Sequence, residues 1–353
     1  MKKIIKVGNK LIGDNNPSFI LIELGVTHEQ NIDLAKKFIE IAANSGADAI
    51  KVEAFKAEDF AHDKKHIHIY GTSNGIVKEN YYQMLKRLEL SFDKILELKK
   101  KADECNILFF STVHNENDVD FFNELDVCAF KIGSGDLNHY PLIDYISKKN
   151  KPVFMDTGAA LLSEIDKSIR RFENNKFNDL ILMHNPVGYP APAEKTDLNI
   201  IKTLKDIYDI PVGLSCHTPG FDMTIASVAL GANVIEKPIS RDNSIKGPEH
   251  VFSLLDSDVS LYIKKIRNIE TSLGNNYRAS TEVGAHGRRR RGIYAKHDIT
   301  KGSIIKKEDL IYRVPNKGIT IEHYELIIGK VVKKSYKKND PIQYKDLDLK
   351  DYD

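Results

Sequence analysis

The chain has 353 residues, with 52 basic and 50 acidic side chains and a formal net charge of +2. That balance argues against nucleic acid or an anionic membrane as the main partner, and three widely spaced cysteines (Cys105, Cys128 and Cys216) argue against a disulfide scaffold or a zinc cluster. The sequence has no apolar run long enough to span a bilayer and no recognisable signal peptide, so we expect a cytoplasmic protein.

Buried-looking strands alternate with amphipathic helices over about the first two thirds of the chain. The strand-like runs are Phe19–Glu23, Ala49–Val52, Ile107–Ser111, Ala129–Ile132, Pro152–Met155, Leu180–His184, Pro211–Leu214 and Val234–Lys237. The main helical patterns between them are Asp33–Asn44, Phe92–Glu104, Val119–Leu125, Ser163–Phe172, Thr196–Ile207 and Met223–Leu230. This alternation predicts parallel βαβ units. Eight such units fit a closed (β/α)₈ TIM barrel, and a doubly wound sheet is the alternative.

The pattern changes after a helical segment at Val259–Leu273. Residues 274–291 are polar, turn-rich and basic, which is typical of a linker. Residues 292–353 then form a short, strand-rich segment that is too small to bury much apolar surface by itself. The sequence therefore predicts a barrel domain at 1–273, a linker at 274–291 and a small domain at 292–353 that docks onto another surface.

Polar side chains follow nearly every predicted barrel strand. The candidates at these strand ends are Glu23, Lys51, Glu53, Thr112, Lys131, Ser134, Asp136, Tyr189, Ser215, His217 and Glu236. The carboxyl ends of barrel strands meet at one mouth, where barrel enzymes keep their active sites, and this favours the barrel over the open sheet. Lysines, hydroxyls and backbone N–H groups together suit a phosphate and a carboxylate, while carboxylates and an imidazole suit proton transfer or a metal.

Short motifs in a fixed order run along nearly the whole chain. The first half contains Phe19–His28, Ser45–Lys51, Leu88–Ser91, Phe110–Thr112, Lys131–Asn138 and Pro141–Leu142. The second half contains Tyr189–Pro190, Gly213–Thr218, Gly231–Ala232, Ile235–Lys237 and Gly247–His250, followed by Ala295–Ile299, Lys301–Gly302 and Gly318–Ile319 in the small domain. As an ordered set these motifs resemble the sialic acid (nonulosonate) synthase family, and the last three resemble its antifreeze-like SAF domain.

The resemblance implies a phosphoenolpyruvate-dependent transferase. Such enzymes join phosphoenolpyruvate to the aldehyde of an N-acylated amino sugar, giving a 2-keto-3-deoxy sugar acid for surface glycans and releasing phosphate. The resemblance also implies a TIM barrel, a divalent metal (Mn²⁺ or Mg²⁺) that polarises the aldehyde, and a homodimer in which each SAF domain covers the partner's barrel mouth.

The resemblance assigns roles to individual residues. The residues expected to hold phosphoenolpyruvate are Lys51, Thr112, Lys131, Ser134 and Ser215. Glu23 and Asp136 are expected to act with His217 in catalysis, and His217 is also expected to bind the metal. The residues expected to contact the sugar are Glu53, Tyr189, Glu236 and, from the SAF domain, Arg313.

The chain departs from the family pattern at several of these positions. Pro238 stands where the family has its second metal histidine, and a proline cannot coordinate a metal. Asp136 replaces a glutamate, and Glu53 replaces a glutamine. Other departures are Cys216 for an acid, Asp156 for a serine, Val187 for an asparagine, and Arg313-Val314-Pro315 for Arg-Pro. These differences make the metal site uncertain and indicate an acceptor other than plain N-acetylmannosamine.

Three explanations are open for these departures. The synthase has another metal ligand, the barrel catalyses another reaction on a phosphorylated or keto acid, or the protein is a non-catalytic sugar-binding paralogue. The candidates for the missing ligand are His28, His114, His184, Cys216 and Asp156. A Schiff-base aldolase using Lys51 or Lys131 is the main enzymatic alternative. We expect residues 62–68 to form a polar loop that shapes the mouth, and Arg288–Arg291 to be a docking segment or an anion contact at the dimer interface.

Overall fold

The computed structural model describes residues 1–274 and 289–349. Its strands, numbered in chain order, are β1 (Ile5–Val7), β2 (Lys10–Ile12), β3 (Phe19–Gly25), β4 (Ala49–Glu53), β5 (Ile67–Thr72), β6 (Gly75–Asn80), β7 (Leu108–Thr112), β8 (Phe130–Ile132), β9 (Val153–Asp156), β10 (Leu180–His184), β11 (Val212–Ser215), β12 (Val234–Ser240), β13 (Leu254–Leu255), β14 (Gly292–Ala295) and β15 (Leu310–Arg313).

Eight parallel strands close into a barrel in the order β3-β4-β7-β8-β9-β10-β11-β12, and β12 pairs with β3. Every residue of β3 and of β12 is buried, including the polar residues Glu23 in β3 and Glu236, Lys237 and Ser240 in β12. The predicted (β/α)₈ barrel is therefore confirmed.

Helices alternate with the barrel strands and lie outside them. They are α1 (Ile32–Ser45), α2 (Ala57–Phe60), α3 (Tyr81–Leu88), α4 (Phe92–Glu104), α5 (Glu116–Glu124), α6 (Tyr140–Ser147), α7 (Leu162–Asn174), α8 (Ile200–Tyr208), α9 (Asp222–Ala229) and α10 (Val259–Leu273). A further short helix, α11 (Tyr324–Ile327), belongs to the C-terminal unit and not to the barrel. Local chemistry sets their ends, as α1 shows. The Asn31 side chain accepts hydrogen bonds from the first-turn N–H groups, and Gly46 ends the helix in the left-handed region.

A β-hairpin interrupts the alternation between β4 and α3. Strands β5 and β6 pair antiparallel and lie over the barrel mouth, where the sequence predicted only a polar loop at 62–68. Gly71 N donates to Tyr189 O at 2.9 Å, which ties the hairpin to the loop after β10. A Cβ at Gly71 would lie 2.7 Å from Pro190 Cδ, so this close approach requires glycine.

Aromatic side chains fill the barrel beneath its mouth. Phe110 and Phe154 stack with ring centroids 5.0 Å apart, and Phe19 lies 6.1 Å from Phe154. Side chains two residues apart on a strand share a face, so Thr112 and Asp156 lie on the same face as Phe110 and Phe154, one layer further towards the carboxyl ends. The interior therefore changes from a dry aromatic layer to a polar layer at the carboxyl ends of the strands.

The chain divides into two compact units, Met1–Leu273 and Gly274–Asp353. In the second unit, β14 pairs antiparallel with β15, and a separate apolar core includes Ile293, Ile305 and Val332. The linker at 274–291 stays a prediction, because residues 275–288 lie outside the described residues; these include Arg288 of the predicted docking segment. Among the described helices, none has the length and apolar character needed to cross a membrane.

Candidate active site

A cavity of about 580 Å³ opens at the carboxyl ends of the barrel strands. The structure brings all the predicted barrel-domain site residues to its lining, namely Glu23, Lys51, Glu53, Thr112, Lys131, Ser134, Asp136, Tyr189, Ser215, His217 and Glu236. Arg313 lies on β15 in the second unit and is exposed. The prediction that strand ends converge on one mouth is therefore confirmed for the barrel domain, whereas the roles of these residues stay predictions.

Lys51 occupies one side of the cavity floor. Its Nζ lies 2.5 Å from Glu23 Oε1, 3.2 Å from Glu236 Oε1 and 3.0 Å from Thr112 Oγ1. The lysine is 2% exposed, so this ammonium exchanges its hydration shell for protein oxygens.

Lys131 occupies the other side of the floor and also bonds Glu236. Its Nζ donates to both Glu236 carboxylate oxygens at 2.7 and 2.6 Å, and it lies 3.0 Å from Asp156 Oδ2. Ser215 Oγ is 3.5 Å away. Glu236 thus bridges the two lysines, although 105 residues separate it from Lys131 in the sequence.

These contacts shift the pKa values of the floor groups in opposite directions. Burial opposes ionisation of Glu236, but Lys131 and Lys51 outweigh it and lower its pKa to about 2. Burial raises the pKa of Glu23 to about 7, and Lys51 only partly opposes that effect. Burial alone would lower the pKa of Lys51, yet Glu23 and Glu236 raise it well above its ordinary value. Both states of Glu23 are therefore accessible near neutral pH, while Lys51 stays an ammonium.

Hydroxyl and backbone groups complete the anion-binding character of the floor. Ser134 Oγ accepts a hydrogen bond from Gly158 N at 3.1 Å, which joins the turns after β8 and β9. Asp156, which replaces the family's serine, forms the ion pair with Lys131 rather than standing as an isolated negative charge. Burial raises the pKa of Asp156, with Lys131 acting in the opposite direction.

His217 follows β11 and packs against two aromatic rings. Its ring centroid lies 4.4 Å from that of Tyr189 and 5.2 Å from that of Phe252. Burial lowers the pKa of His217 to about 3, with Lys131 adding to the effect, so the imidazole is neutral at physiological pH. Its Nδ1 atom is buried without a hydrogen-bond partner in the described part of the chain.

A neutral imidazole is the form that binds metals, but the remaining donors expected for a metal site are missing. Pro238 is two residues beyond Glu236 on the same face of β12 and offers no donor atom. Within residues 1–274 and 289–349, no three His, Cys, Asp or Glu side chains are grouped so as to hold a metal ion. The residues present thus supply one imidazole and do not by themselves fit a divalent cation.

Three of the five alternative ligands proposed from the sequence, namely His28, His184 and Cys216, already make other contacts. His184 Nε2 lies 2.7 Å from Thr196 O, and Cys216 Sγ lies 3.0 Å from Thr218 Oγ1. Gln30 N donates to His28 Nδ1 at 3.0 Å. None of them joins His217 in a three-ligand group among the described residues.

Cys216 lies away from the cavity, although His217 is its neighbour in sequence. Its Sγ is 3.6 Å from the Nζ of Lys237, a fully buried lysine that also donates to Thr218 O. Burial lowers the pKa of Lys237. Cys216 thus contacts Lys237 and Thr218, whereas His217 lines the cavity.

Asp136 makes a contact that the sequence did not predict. Its Oδ2 lies 2.8 Å from His114 Nδ1, and His114 Nε2 lies 4.0 Å from Glu53 Oε1. The shorter side chain of Asp136 therefore meets a histidine from the neighbouring strand end.

Glu249 is a further cavity residue that received no role from the sequence. Its Oε2 accepts a hydrogen bond from Val26 N at 3.1 Å, and burial and the nearby Glu23 raise its pKa well above the ordinary value. Gly25 has φ 48°, and a Cβ there would overlap the Glu249 carboxylate. Glu249 lies in the motif Gly247–His250, which contributes to the family resemblance. That motif could have identified Glu249 as a site residue.

The edge of the cavity is less polar than its floor. Phe60, His68, Ile69, Val187 and Tyr189 line it, with Ile69, Val187 and Tyr189 exposed by 56%, 59% and 46%. We call these five residues the rim, and we call Glu23, Lys51, Lys131, Asp156 and Glu236 the floor. The rim presents apolar and aromatic surface that a ligand bound on the floor would meet next.

This fold and cavity define the class of the protein, a (β/α)₈ barrel with a charged cavity at the carboxyl ends of its strands. The NeuB family model matches residues 38–278, and the SAF domain model matches residues 290–348. The chain belongs to the NeuB family and carries a SAF domain, which confirms the resemblance described above.

Relatives and solved structures agree with this assignment. The chain is 36% identical to an N,N'-diacetyllegionaminic acid synthase of Campylobacter jejuni over 330 residues, 92% of this chain and 99% of that protein. It is 30% identical to a pseudaminic acid synthase of the same species over 347 residues, 97% and 100% of the two chains. The crystal structure of an N-acetylneuraminic acid (sialic acid) synthetase from Leptospira borgpetersenii aligns with a TM-score of 0.72 at 29% identity, covering 82% of this chain and 97% of that one.

Proposed function

We propose that the protein is a nonulosonate synthase that condenses phosphoenolpyruvate with the aldehyde of an N-acylated amino sugar. The products would be a 2-keto-3-deoxy sugar acid and phosphate. A role in surface-glycan biosynthesis and a cytoplasmic location belong to the same proposal. The observation that carries it is the convergence of two buried lysines, Lys51 and Lys131, with three hydroxyl residues on one cavity, namely Thr112, Ser134 and Ser215.

The floor supports this proposal because it suits an anion that arrives with several negative charges. Lys51 and Lys131 are held as ammonium ions by Glu23, Glu236 and Asp156. A phosphate and a carboxylate bound there would compete with these side chains for the same ammonium protons. Glu23 has a pKa of about 7, so it takes up a proton near neutral pH and can then release Lys51 to the ligand. We expect phosphoenolpyruvate binding to be accompanied by proton uptake.

The rim supports an acceptor sugar placed above the anion. Tyr189 presents its hydroxyl and ring next to His217, and Glu53 lies on the opposite wall beside His114. Ile69 and Phe60 provide apolar surface for an N-acyl group. We therefore propose that Tyr189 and Glu53 bind the sugar. Glu236 bonds both lysines on the floor, so it would contact the sugar only from the floor side of the cavity.

Two further parts of the proposal await tests of their own. A homodimer in which the SAF domain brings Arg313 to the partner's cavity is a prediction, and its test is the oligomeric state together with the sugar KM of Arg313→Ala. Divalent-metal dependence is also a prediction, because the described residues supply one imidazole at the expected site.

The decisive experiment measures phosphate release from phosphoenolpyruvate with a panel of N-acyl amino sugars, with and without Mn²⁺ or Mg²⁺. We expect release with at least one sugar that differs from N-acetylmannosamine in its ring substituents. If no sugar supports release with either ion, the synthase proposal is wrong and a non-catalytic sugar-binding role takes its place.

The Schiff-base alternative makes a separate prediction. A lysine that attacks a carbonyl must be neutral, and the contacts on the floor raise the pKa values of Lys51 and Lys131 against the effect of burial. We expect no covalent adduct when the protein is treated with borohydride and a keto acid. A stable adduct of the expected mass on either lysine would favour the aldolase.

A further inference from the structure

His114 and Asp136 come together from neighbouring strand ends. His114 lies two residues beyond β7, and Asp136 lies in the turn after β8, which pairs with β7 in parallel. His114 Nδ1 and Asp136 Oδ2 are 2.8 Å apart, which is hydrogen-bond distance. The pair is therefore a product of the parallel pairing of β7 with β8 rather than of sequence proximity.

The surroundings fix the orientation of the imidazole. His114 N donates to Asp118 Oδ2 at 3.1 Å, which anchors its backbone to the first turn of α5. The Phe60 ring packs edge-on against the imidazole with centroids 4.4 Å apart. Asp136 N donates to Gly133 O at 2.9 Å, so the carboxylate is also held by a closed turn. Both partners are thus positioned before any ligand arrives.

The other ring nitrogen is without a partner. His114 Nε2 is buried and makes no hydrogen bond in the described part of the chain, and Glu53 Oε1 at 4.0 Å is too distant for one. The side chain is 10% exposed and lines the cavity. A buried ring nitrogen without a partner at the cavity wall is available to a bound ligand.

We propose that His114 is the acid–base residue of this site and that Asp136 is its positioning residue. This inference rests on the proposed function. When Nδ1–H donates to Asp136, Nε2 is the nitrogen left to exchange a proton with substrate.

A single acid–base residue is enough to balance the proton transfers of the reaction. The C2=C3 electron pair of phosphoenolpyruvate forms the new bond to the aldehyde carbon, and the carbonyl oxygen takes the Nε2 proton of the imidazolium as its π bond breaks. Water then adds to the cation at C2 and returns a proton to Nε2. The C2–O bond to phosphate breaks as the C2 hydroxyl becomes the keto group, and the hydroxyl proton leaves with phosphate. His114 therefore ends in the state in which it began.

The test replaces His114 while keeping the bond to Asp136. His114→Asn retains an N–H near the Nδ1 position and removes Nε2. We expect kcat to fall about 10²-fold or more, with the KM for phosphoenolpyruvate changed less than about threefold. In His114→Gly, added imidazole should restore a large part of kcat. His139→Asn is the matched control, because His139 lies on the other side of Asp136, with Nδ1 3.9 Å from Oδ1, and should change kcat less than about twofold.

A second measurement does not depend on turnover. In ¹⁵N spectra of histidine-labelled protein, recorded at a pH where the His114 ring is neutral, we expect the Nδ1–H tautomer, and we expect Asp136→Asn to lose that preference. Full kcat in His114→Asn, no rescue by imidazole, or the other tautomer would each overturn the inference while leaving the synthase intact. A wild-type protein that releases no phosphate would overturn the proposed function and the catalytic role with it.

Discussion

The floor and the rim of the cavity are built on different physical principles. On the floor, every charged group has a partner within 3.2 Å, and the two lysines are 2% exposed. On the rim, Ile69, Val187 and Tyr189 are about half exposed and make contact through packing. The floor is therefore specified by charge and burial, whereas the rim is specified by the placement of a hairpin and a loop.

This difference indicates which half of the site tolerates change. Removing one member of a buried charge network leaves its partners unpaired in a dry environment, so a single substitution is costly. Changing a half-exposed apolar side chain alters shape without leaving an unpaired charge. Of the family departures, Glu53, Asp136 and Val187 lie on the walls and the rim, whereas Asp156 lies on the floor and pairs with Lys131; both floor lysines retain the family identity.

The largest effect is expected for Lys131→Met. Glu236 and Asp156 would lose their shared cation, and we expect the free energy of unfolding to fall by about 3–5 kcal/mol. The value of kcat/KM for phosphoenolpyruvate should fall by about 10²–10³-fold, because the anion loses a buried donor. Denaturant unfolding and the phosphate-release assay measure the two effects.

Lys167→Met in α7 is the control for Lys131→Met, since Lys167 is exposed and lies away from the cavity. It should leave both quantities within the error of the wild type. A Lys131→Met protein with unchanged stability would show that the floor network contributes nothing to folding.

A pH-dependent effect of intermediate size is expected for Glu23→Gln. The pKa of Glu23 is raised from 4.5 to about 7 in the folded protein. Folding therefore favours protonated Glu23. The contribution of Glu23 to stability is fully present below pH 4.5 and is lost as the pH rises to about 7. Glutamine lacks this titration, so stability relative to the wild type should increase between those pH values by up to about 3 kcal/mol. Paired unfolding curves at pH 5 and pH 8 measure the change.

The exposed carboxylate Glu58 provides a reference for that measurement. The difference between Glu58→Gln and the wild type should be nearly the same at the two pH values. A Glu23→Gln difference that also stays constant would mean that Glu23 ionises in the folded protein as it does in the unfolded chain.

A smaller effect is expected for Pro238→His, at the boundary between floor and rim. This substitution restores the second metal histidine of the family pattern. An imidazole on the Glu236 face of β12 would give His217 a second nitrogen ligand nearby. We expect the Kd for Mn²⁺, measured by calorimetry without substrates, to decrease by about tenfold or more relative to Pro238→Ala. Equal Mn²⁺ affinity in the two variants would mean that the two positions do not meet at one ion.

The smallest effect is expected on the rim, for Gly71→Ala. The new methyl group would lie 2.7 Å from Pro190 Cδ and push the hairpin away from Tyr189. We expect the KM for the sugar to rise by about fivefold, with the KM for phosphoenolpyruvate unchanged. Ser73→Ala at the exposed tip of the same hairpin is the control. A change in both KM values would show that hairpin and floor are coupled.

The barrel strands could be predicted because they are short, fully buried apolar runs. The predicted and observed bounds of Leu180–His184 are identical, and the other strands differ by a few residues at their ends. The hairpin of β5 and β6 was missed because it lies outside the core and alternates exposed with half-buried residues. A segment without a continuous buried face gives no strong periodic signal.

The residues that line the cavity could be predicted from the strand ends, but the contacts between those residues could not. Nothing in the spacing of Lys131 and Glu236 indicates that they bond, since the contact exists only once the barrel closes. The spacing of His114 and Asp136, 22 residues apart, likewise does not indicate their contact, which depends on the parallel pairing of β7 with β8. Burial then sets the direction of each pKa shift, and burial is a property of the closed barrel rather than of any short motif.

Two glycines that make room for a neighbouring side chain also separate the positions that an engineer should fix from those worth randomising. Gly25 makes room for the Glu249 carboxylate, and Gly71 makes room for Pro190, so a side chain at either position would displace its neighbour. Ile69 and Val187 instead have more than half of their surface free. A library intended to widen the range of acceptor sugars should therefore keep both glycines and vary Ile69 and Val187.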